Sequence, residues 1–479
     1  MSHKLRDTAT ALLFLAVLIS GILYLAVGFY GQRYLEGAEF LPSSKDMVLT
    51  RSRRVKTKPL LRQKRAALDA ARLAAEAAGR LSAADESVEK ALTDTLDRDH
   101  FFIESYGLVQ GLLGRRVMED VDPQYTVVRL SDGALSFADP DAAYSDPAEH
   151  AEAVSAFQTA LEEELGIPLL YIQAPQKVSV YGDSTLPAGL YDYGDSHVNM
   201  LLRALRSLGV DTLDLRPALA RTGRYDELFF RTDHHWTAEG AFIGWQATAD
   251  KLEKDYGFRF SPSFTDPERW QRTVYEGLFL GSQGKRVGAI YAGADDLEAW
   301  APRWETSFEY VVPIQSYDRT GSFETALLFP ERLENGDLYE TNPYTYYSGG
   351  DYPFARMKNL DRPDGPTVVL LRDSFGCAFA PFMAMGFGEL VTIDLRYFHD
   401  DLMNYIKWVE ADMVVMLYSP GSIKLDSMFD FFYQPIQDQL LYRRPLPDLP
   451  QVEKPVPGAG GNTAGQGSFD PSSGKEASP

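Results

Sequence analysis

Along the middle of the chain, apolar positions switch between two spacings. Val154, Phe157, Leu161 and Leu165 recur every three or four residues, which predicts a helix that Gly166 ends. The next run, LLYIQ (residues 169–173), is almost wholly apolar and predicts a buried strand. Val198, Leu201, Leu202, Leu205 and Leu208 predict a second helix ended by Gly209, and TLDL (residues 212–215) a second strand. A third helix carries Phe242, Trp245, Ala249 and Leu252 on one face. Between residues 258 and 364 the alternation breaks into a stretch rich in aromatic residues, glycine and proline, which reads as an insertion with irregular or β structure. It resumes with TVVLL (residues 367–371), a helix from about Phe375, LVTIDL (390–395), a helix around Tyr405 to Trp408, and MVVML (413–417). Apolar strands separated by amphipathic helices predict an α/β domain whose parallel sheet is covered on both faces.

The ends of the chain read differently. Residues 8–32 carry no charge and are long enough to span a bilayer as a helix. The stretch is longer than a signal peptide's apolar region, and no small-x-small cleavage site follows it. It is expected to be an uncleaved single-pass anchor, with residues 1–7 cytoplasmic and the remainder of the protein outside. The positive-inside rule does not set this orientation, since the two flanks are nearly tied in Lys and Arg. Residues 33–98 form a basic linker followed by an Ala-rich stretch of high helix propensity. The run RSRRVKTKPLLRQKR (residues 51–65) suits either anionic lipid headgroups or a solvated linker. Residues 451–479, rich in Gly, Pro and Ser, are expected to be disordered. The α/β domain then has a first part (99–257), the insertion (258–364) and a second part (365–450).

Charge sharpens this division. Residues 1–65 hold 12 basic and 4 acidic side chains of the chain's 47 and 68, which leaves 35 against 64 for the rest. So acidic a body excludes general nucleic-acid binding, which needs clustered Lys and Arg. The single cysteine, Cys377, excludes an intrachain disulfide, so the core alone must hold the domain together.

Two motifs carry chemistry. The first, RTDHHWTAEGAF (residues 231–242), is expected between a strand and a helix. In an extended loop residues two apart point the same way, so Asp233 would face His235 and His234 would point away. A carboxylate in that position orients an imidazole and stabilises its protonated form. The same residues would also suit a helix cap with packed histidines. A metal site would need further ligands, and no other His/Cys cluster accompanies them, so no metal and no cofactor are expected. The second motif, VVLLRDSFGCAF (residues 368–379), places Ser374 on a turn between a strand and a helix. There the hydroxyl is exposed beside free amide groups that suit an oxyanion. Ser374 or Asp373 as a simple N-cap is the alternative. Jointly, the motifs supply an acid, a base and a nucleophile.

With these motifs the chain resembles the Asp-His-His-Trp (DHHW) protein family, itself similar to the alginate O-acetyltransferase proteins and the SGNH hydrolase superfamily. The resemblance runs from about Asp99 through FFIESYGLVQGLLGRRVMEDV, YIQAPQKVSVYG, FFRTDHHWT, GSQGKRVG, YYSGGDYPFARMKN, LLRDSFG and IDLRYF. It implies an SGNH-like three-layer α/β/α domain outside the membrane. It matches Asp233 to the triad acid, His235 to the base and Ser374 to the nucleophile, in a permuted order with the serine last. Related proteins acetylate cell-surface or exported polysaccharides beside a multi-pass membrane O-acyltransferase. Arg372 stands where many SGNH enzymes carry Gly, and their second oxyanion donors, a Gly and an Asn, have no counterpart here. Lys177, Arg286, Arg372, Tyr346 and Arg396 fall in the family-like segments as candidates for substrate binding or the oxyanion site. The expected activity is acyl transfer to a polysaccharide. A carbohydrate esterase with the same triad and a non-catalytic scaffold or glycan-binding subunit are the alternatives.

Overall fold

A computed structural model describes residues 100–137, 147–334 and 336–432. The expected anchor, the basic run, the Ala-rich stretch and the tail lie outside the described residues. Among the described residues no helix is long and apolar enough to cross a membrane. The chain divides into two compact units, residues 1–115 with 286–291, and residues 116–285 with 292–479.

In the first unit, helix α1 (Phe101–Leu112) carries Glu104, whose carboxylate accepts the amide hydrogens of Ala289 (2.9 Å) and Ile290 (2.8 Å). Gly107 lies so close to the Val287 carbonyl that a Cβ there would stand 2.0 Å away, so no larger residue fits.

The second unit contains thirteen strands among the described residues. Three short ones, β1 (Val117–Met118), β2 (Val127–Arg129) and β3 (Leu135–Phe137), form a small antiparallel sheet. Strands β4 (Leu169–Gln173) and β5 (Thr212–Asp214) come next, then β6 (Trp270–Phe279) and β7 (Asp295–Pro302), which pair as a two-stranded ribbon. They are followed by β8 (Phe308–Val312), β9 (Tyr317–Gly321), β10 (Phe354–Asn359), β11 (Thr367–Arg372), β12 (Glu389–Ile393) and β13 (Met413–Tyr418). The main sheet has the order β5-β4-β13-β11-β12-β10-β8-β9.

Its first five strands are parallel, as the apolar runs predict, and β10, β8 and β9 add to them antiparallel. The sheet is therefore mixed rather than parallel throughout. The sequence shows the reason. Every residue of β4 and β13 is buried, whereas β8 alternates buried and half-buried positions, as a strand near the edge of an antiparallel sheet does. All three antiparallel strands come from residues 258–364, so part of that aromatic stretch completes the sheet.

Successive residues of the parallel strands feed opposite cores. Leu170, Ile172, Val368, Leu370, Val415 and Leu417 join one cluster, and Leu169, Tyr171, Val369, Leu371, Val414 and Met416 the other. The second cluster also takes residues of helices α2 (Pro147–Ala160) and α3 (Gly194–Ser207). The first takes those of α4 (Arg216–Ala220) and α5 (Ala238–Asp255), with Trp236 and Trp245 fully buried. The result is the expected three-layer arrangement. Helix α6 (Ser282–Val287) follows the ribbon's first strand, and α7 (Ala289–Ala292) follows it in turn. Helix α8 (Gly376–Ala384) is buried at all nine positions beside the first core, and α9 (Leu402–Trp408) packs in the second.

Candidate active site

Ser374 sits two residues beyond β11 at the carboxyl edge of the sheet, in the turn that opens α8. Asp373 shapes that turn. One carboxylate oxygen accepts the Phe375 amide at 2.9 Å and the other accepts the Ser419 amide, beyond β13, at 2.7 Å. The Gly376 and Cys377 amides bond back to the carbonyls of Asp373 and Ser374. Only the Ser374 amide of this turn engages no group among the described residues, so it remains available to a negatively charged oxygen. The hydroxyl of Ser374 is not a helix cap.

It meets the other motif instead. His235 Nε2 stands 2.7 Å from Ser374 Oγ, and His235 Nδ1 stands 2.5 Å from Asp233 Oδ1. A proton on Nδ1, donated to the carboxylate, leaves the Nε2 lone pair facing the serine hydroxyl. The second oxygen of Asp233 accepts the Ser282 amide at the start of α6, 2.7 Å away. Burial favours a neutral Asp233. The adjacent His234 and His235 rings, the hydrogen bond from His235 and the Ser282 amide outweigh it, and hold this carboxyl well below its usual range.

The local chain path departs from the expectation in two respects. No strand of the main sheet leads into the DHHW loop. The 3-10 turn Tyr225–Leu228 precedes it, and an isolated antiparallel bridge between Phe229 and Trp236 closes it. Since the loop is bent rather than extended, His234 does not turn away. Its ring centroid lies 3.9 Å from that of His235, and its Nδ1 is 3.1 Å from Ser282 Oγ. Helix α5 is capped by Thr237, whose hydroxyl accepts the Gly240 amide, and not by Asp233.

Asp233, His234 and His235 bring three potential metal donors within 4.8 Å of one another. Both oxygens of Asp233 and both nitrogens of His235 are already bonded within the site, so an ion there would have to break the Asp–His–Ser chain. The donor chemistry fits proton transfer better than a metal.

The loop itself is anchored from outside. Asp295, at the start of β7, accepts the Arg231 and Thr232 amides at 2.8 Å each and the Thr232 hydroxyl at 2.6 Å. That hydroxyl accepts the Gly281 amide at 2.8 Å. Trp236 donates its indole N–H to the Phe375 carbonyl at 3.1 Å, which ties the loop to the Ser374 turn.

The remaining candidates separate. Arg372 is 1% exposed, and its guanidinium pairs with Asp351 and donates to the Gly350 carbonyl at 2.9 Å and the Asp373 carbonyl at 3.3 Å. Arg396 bonds Asp394 (2.6 and 3.0 Å) and Asp351 (3.1 Å). Both arginines thus belong to a charge quartet with Asp351 and Asp394, a structural role for Arg372 in place of oxyanion donation. Burial opposes an ionised Asp351, but Arg372 and Arg396 hold its carboxyl down to about 2. Lys177 is buried, donating to the Leu135 carbonyl at 2.5 Å, and desolvation lowers its ammonium to about 8. Tyr346 is buried against Tyr347 and Tyr275. Arg286 is half-buried on α6 and falls in the smaller compact unit.

The aromatic side chain of that stretch that stacks on His235 is Tyr344. Its ring stacks on His235 at a centroid distance of 3.9 Å and 16° between planes. Most neighbouring aromatics, including Trp270, Trp300, Tyr310, Phe323, Phe329 and Tyr347, are buried, so they build core and not a sugar-stacking surface. Nothing in the linear spacing marks Tyr344, Asp295 or Ser282, because each reaches the site from a segment distant in sequence.

Residues 136–273 match the pattern of the SGNH hydrolase-like domain of acetyltransferase AlgX, and residues 215–393 match that of the DHHW protein family. Among solved structures, PatB1 of Bacillus cereus superposes with a TM-score of 0.53 at 21% identity, over 66% of this chain and 99% of that one. Its form with a sulfonyl adduct gives 0.52 at 20%, over the same shares. A DHHW family protein of Eubacterium siraeum gives 0.49 at 18%, over 67% of this chain and all of that one. No curated protein sequence matches the chain. At such identities the PatB1 superpositions speak for the fold alone, and the two pattern matches make residues 136–273 similar to the SGNH hydrolase-like domain of acetyltransferase AlgX and residues 215–393 similar to DHHW proteins.

Proposed function

We propose that the protein is an O-acyltransferase that works by an acyl-serine intermediate on Ser374. One observation carries this reading: Ser374 Oγ, His235 and Asp233 form an unbroken hydrogen-bonded chain of 2.7 and 2.5 Å. In the first step Ser374 Oγ attacks the acyl carbonyl carbon of the donor while His235 Nε2 takes the hydroxyl proton. The carbonyl oxygen becomes an oxyanion facing the Ser374 amide. As it collapses, the bond to the leaving group breaks and His235 returns the proton to that group. In the second step His235 takes the proton of a sugar hydroxyl, whose oxygen attacks the acyl-serine. Collapse of this oxyanion releases the acylated sugar, and the proton returns to Ser374 Oγ. Asp233, kept ionised by its neighbours, stabilises the imidazolium in both steps.

The acyl group is acetyl in this reading, and the acceptor is a cell-surface or exported polysaccharide. The likeness to an acetyltransferase domain supports the first. A membrane anchor at residues 8–32 would hold the domain outside the membrane, beside a multi-pass acyltransferase that delivers the acyl group. With no acceptor sugar bound, water in its place makes the same site an esterase.

The test uses the full chain, purified in detergent, with p-nitrophenyl acetate as donor. Wild type should release p-nitrophenol and, with an oligosaccharide added, yield O-acetylated sugar. Ser374→Ala should lower the rate by about 10³-fold or more while leaving the fold intact. Equal activity in the variant would overturn the assignment of Ser374. Acetate release with no acetylated sugar across an acceptor panel would favour the esterase.

A further inference from the structure

The aromatic stretch packs one ring face to face against His235. Tyr344 belongs to the 3-10 turn Pro343–Tyr346, more than a hundred residues from the DHHW loop. Its ring is buried at 3% exposure and lies face to face with the His235 imidazole, at 3.9 Å and 16°. Its hydroxyl donates to the Phe375 carbonyl at 3.3 Å, the same oxygen that accepts the Trp236 indole at 3.1 Å. One end of Tyr344 therefore rests on the base, and the other on the residue after the nucleophile.

The imidazole is already tethered at two points in its own plane, by Asp233 at Nδ1 and by Ser374 at Nε2. Both bonds hold only while the ring keeps its plane. Rotation about the Cβ–Cγ bond carries both nitrogens out of line with their partners, and hydrogen bonds weaken steeply with angle. His234 lies against the ring at a 36° tilt, and its side chain is 43% exposed, so it closes the ring less firmly. Phe375 approaches at 5.1 Å and 49°. Tyr344 is the near-parallel neighbour.

We propose that Tyr344 is the positioning residue of the catalytic base: its ring fixes the plane of His235 so that both nitrogens stay aligned with Asp233 and Ser374. The inference rests on the reading of His235 as base. The function of the stack is in the ring and not in the hydroxyl, whose bond at 3.3 Å duplicates that of Trp236.

Variants of the full chain at Tyr344 test this by nuclear magnetic resonance and kinetics. The His235 ring protons should carry an upfield ring-current shift in wild type. Tyr344→Phe should retain it, and Tyr344→Leu should lose it. With p-nitrophenyl acetate, Tyr344→Phe should stay within about twofold of wild type. Tyr344→Leu should lose about tenfold or more in kcat with KM little changed, because misalignment acts on the proton-transfer step. Circular dichroism of Tyr344→Leu separates a folded, slow enzyme from an unfolded one. If it does not fold, Tyr344→His, which keeps a flat ring, should recover activity that Tyr344→Ile does not. A kcat equal to wild type in a folded Tyr344→Leu, or the same loss in Tyr344→Phe, would overturn the proposal. If wild type and Ser374→Ala are equally inactive, the parent reading fails instead. The ring-current comparison then still reports whether Tyr344 holds the imidazole.

Discussion

Asp295 makes no bond to His235 or Ser374, yet it anchors the loop that carries His235. Three donors of the DHHW loop, two amides and a hydroxyl, converge on its carboxylate at 2.6 to 2.8 Å. Burial pushes this carboxyl up, and the Thr232 and Arg231 donors pull it back. Asp295→Ala would leave those donors unpaired in a site only 7% exposed, at a cost of about 1–3 kcal/mol each before relaxation. The variant is expected to lose roughly 2–4 kcal/mol in urea unfolding, and its kcat should fall by about tenfold or more with little change in KM. Asp295→Asn, which still accepts bonds, should be milder on both counts. Wild-type kcat in Asp295→Ala would show that the loop holds its geometry unaided. At this scale the sequence was informative in one direction only. The grouping of Asp233, His235 and Ser374 was legible because the two motifs jointly offered an acid, a base and a nucleophile, although each motif alone suited a helix cap as well. Tyr344, Asp295 and Ser282 were not, since their roles come from contacts between distant segments. The bent loop also explains why His234 lies against His235, where an extended chain would send it away.

The elements that carry these residues are held by close backbone approach. Gly281 follows β6 and precedes α6, and a Cβ there would stand 2.2 Å from the Asp233 Cβ and 2.6 Å from the Thr232 carbonyl. Neither neighbour is a flexible side-chain end. Gly281→Ala must therefore push the DHHW loop off the helix whose first amide holds Asp233. A displacement near 1 Å at a reacting group costs on the order of 10²-fold in rate. Gly281→Ala is expected to show that loss in kcat/KM, with the sheet intact by circular dichroism. A fully active Gly281→Ala would mean that the loop and α6 tolerate separation. The same packing clarifies the segment GSQGKRVG. For Gly281 and Gly284 the reason is the approach of Asp233 and Thr232, whereas a Cβ on Gly288, at φ +85°, would stand 2.7 Å from the Ile103 carbonyl oxygen. Strands β4, β11 and β13 were legible as uninterrupted apolar runs, because both of their faces are buried. Strands β8, β9 and β10 were not read as part of the sheet. Their alternating burial suits many short strands, and the sequence does not say which edge they join.

For the larger unit as a whole, the ionisable groups buried in its interior set how stability follows pH. Lys177 lies in the β4–α3 connection, and its ammonium is buried against the Leu135 carbonyl of the small sheet. Desolvation, partly offset by Asp295 and Asp233, lowers it from an ordinary 10.5 to about 8. Between those two values the unfolded chain holds a proton that the folded protein has released. Stability must therefore rise with pH across that window, by on the order of 3 kcal/mol if this group acted alone. Buried tyrosines act against it from about pH 10. Burial raises the phenols of Tyr310, Tyr344, Tyr347 and Tyr418, so the unfolded chain ionises first and stability falls. The two trends place the maximum of the unfolding free energy near pH 9, above the neutral optimum common among proteins. Lys177→Met isolates the lysine. Urea unfolding of wild type should show a gain between pH 7 and pH 9, and the variant should lose most of it while keeping the decline above pH 10. Parallel curves for the two proteins would show that Lys177 keeps its proton in the fold. The charge count of the sequence could not have foretold this, since a lysine's contribution depends on how deeply the small sheet and the β4–α3 connection enclose it.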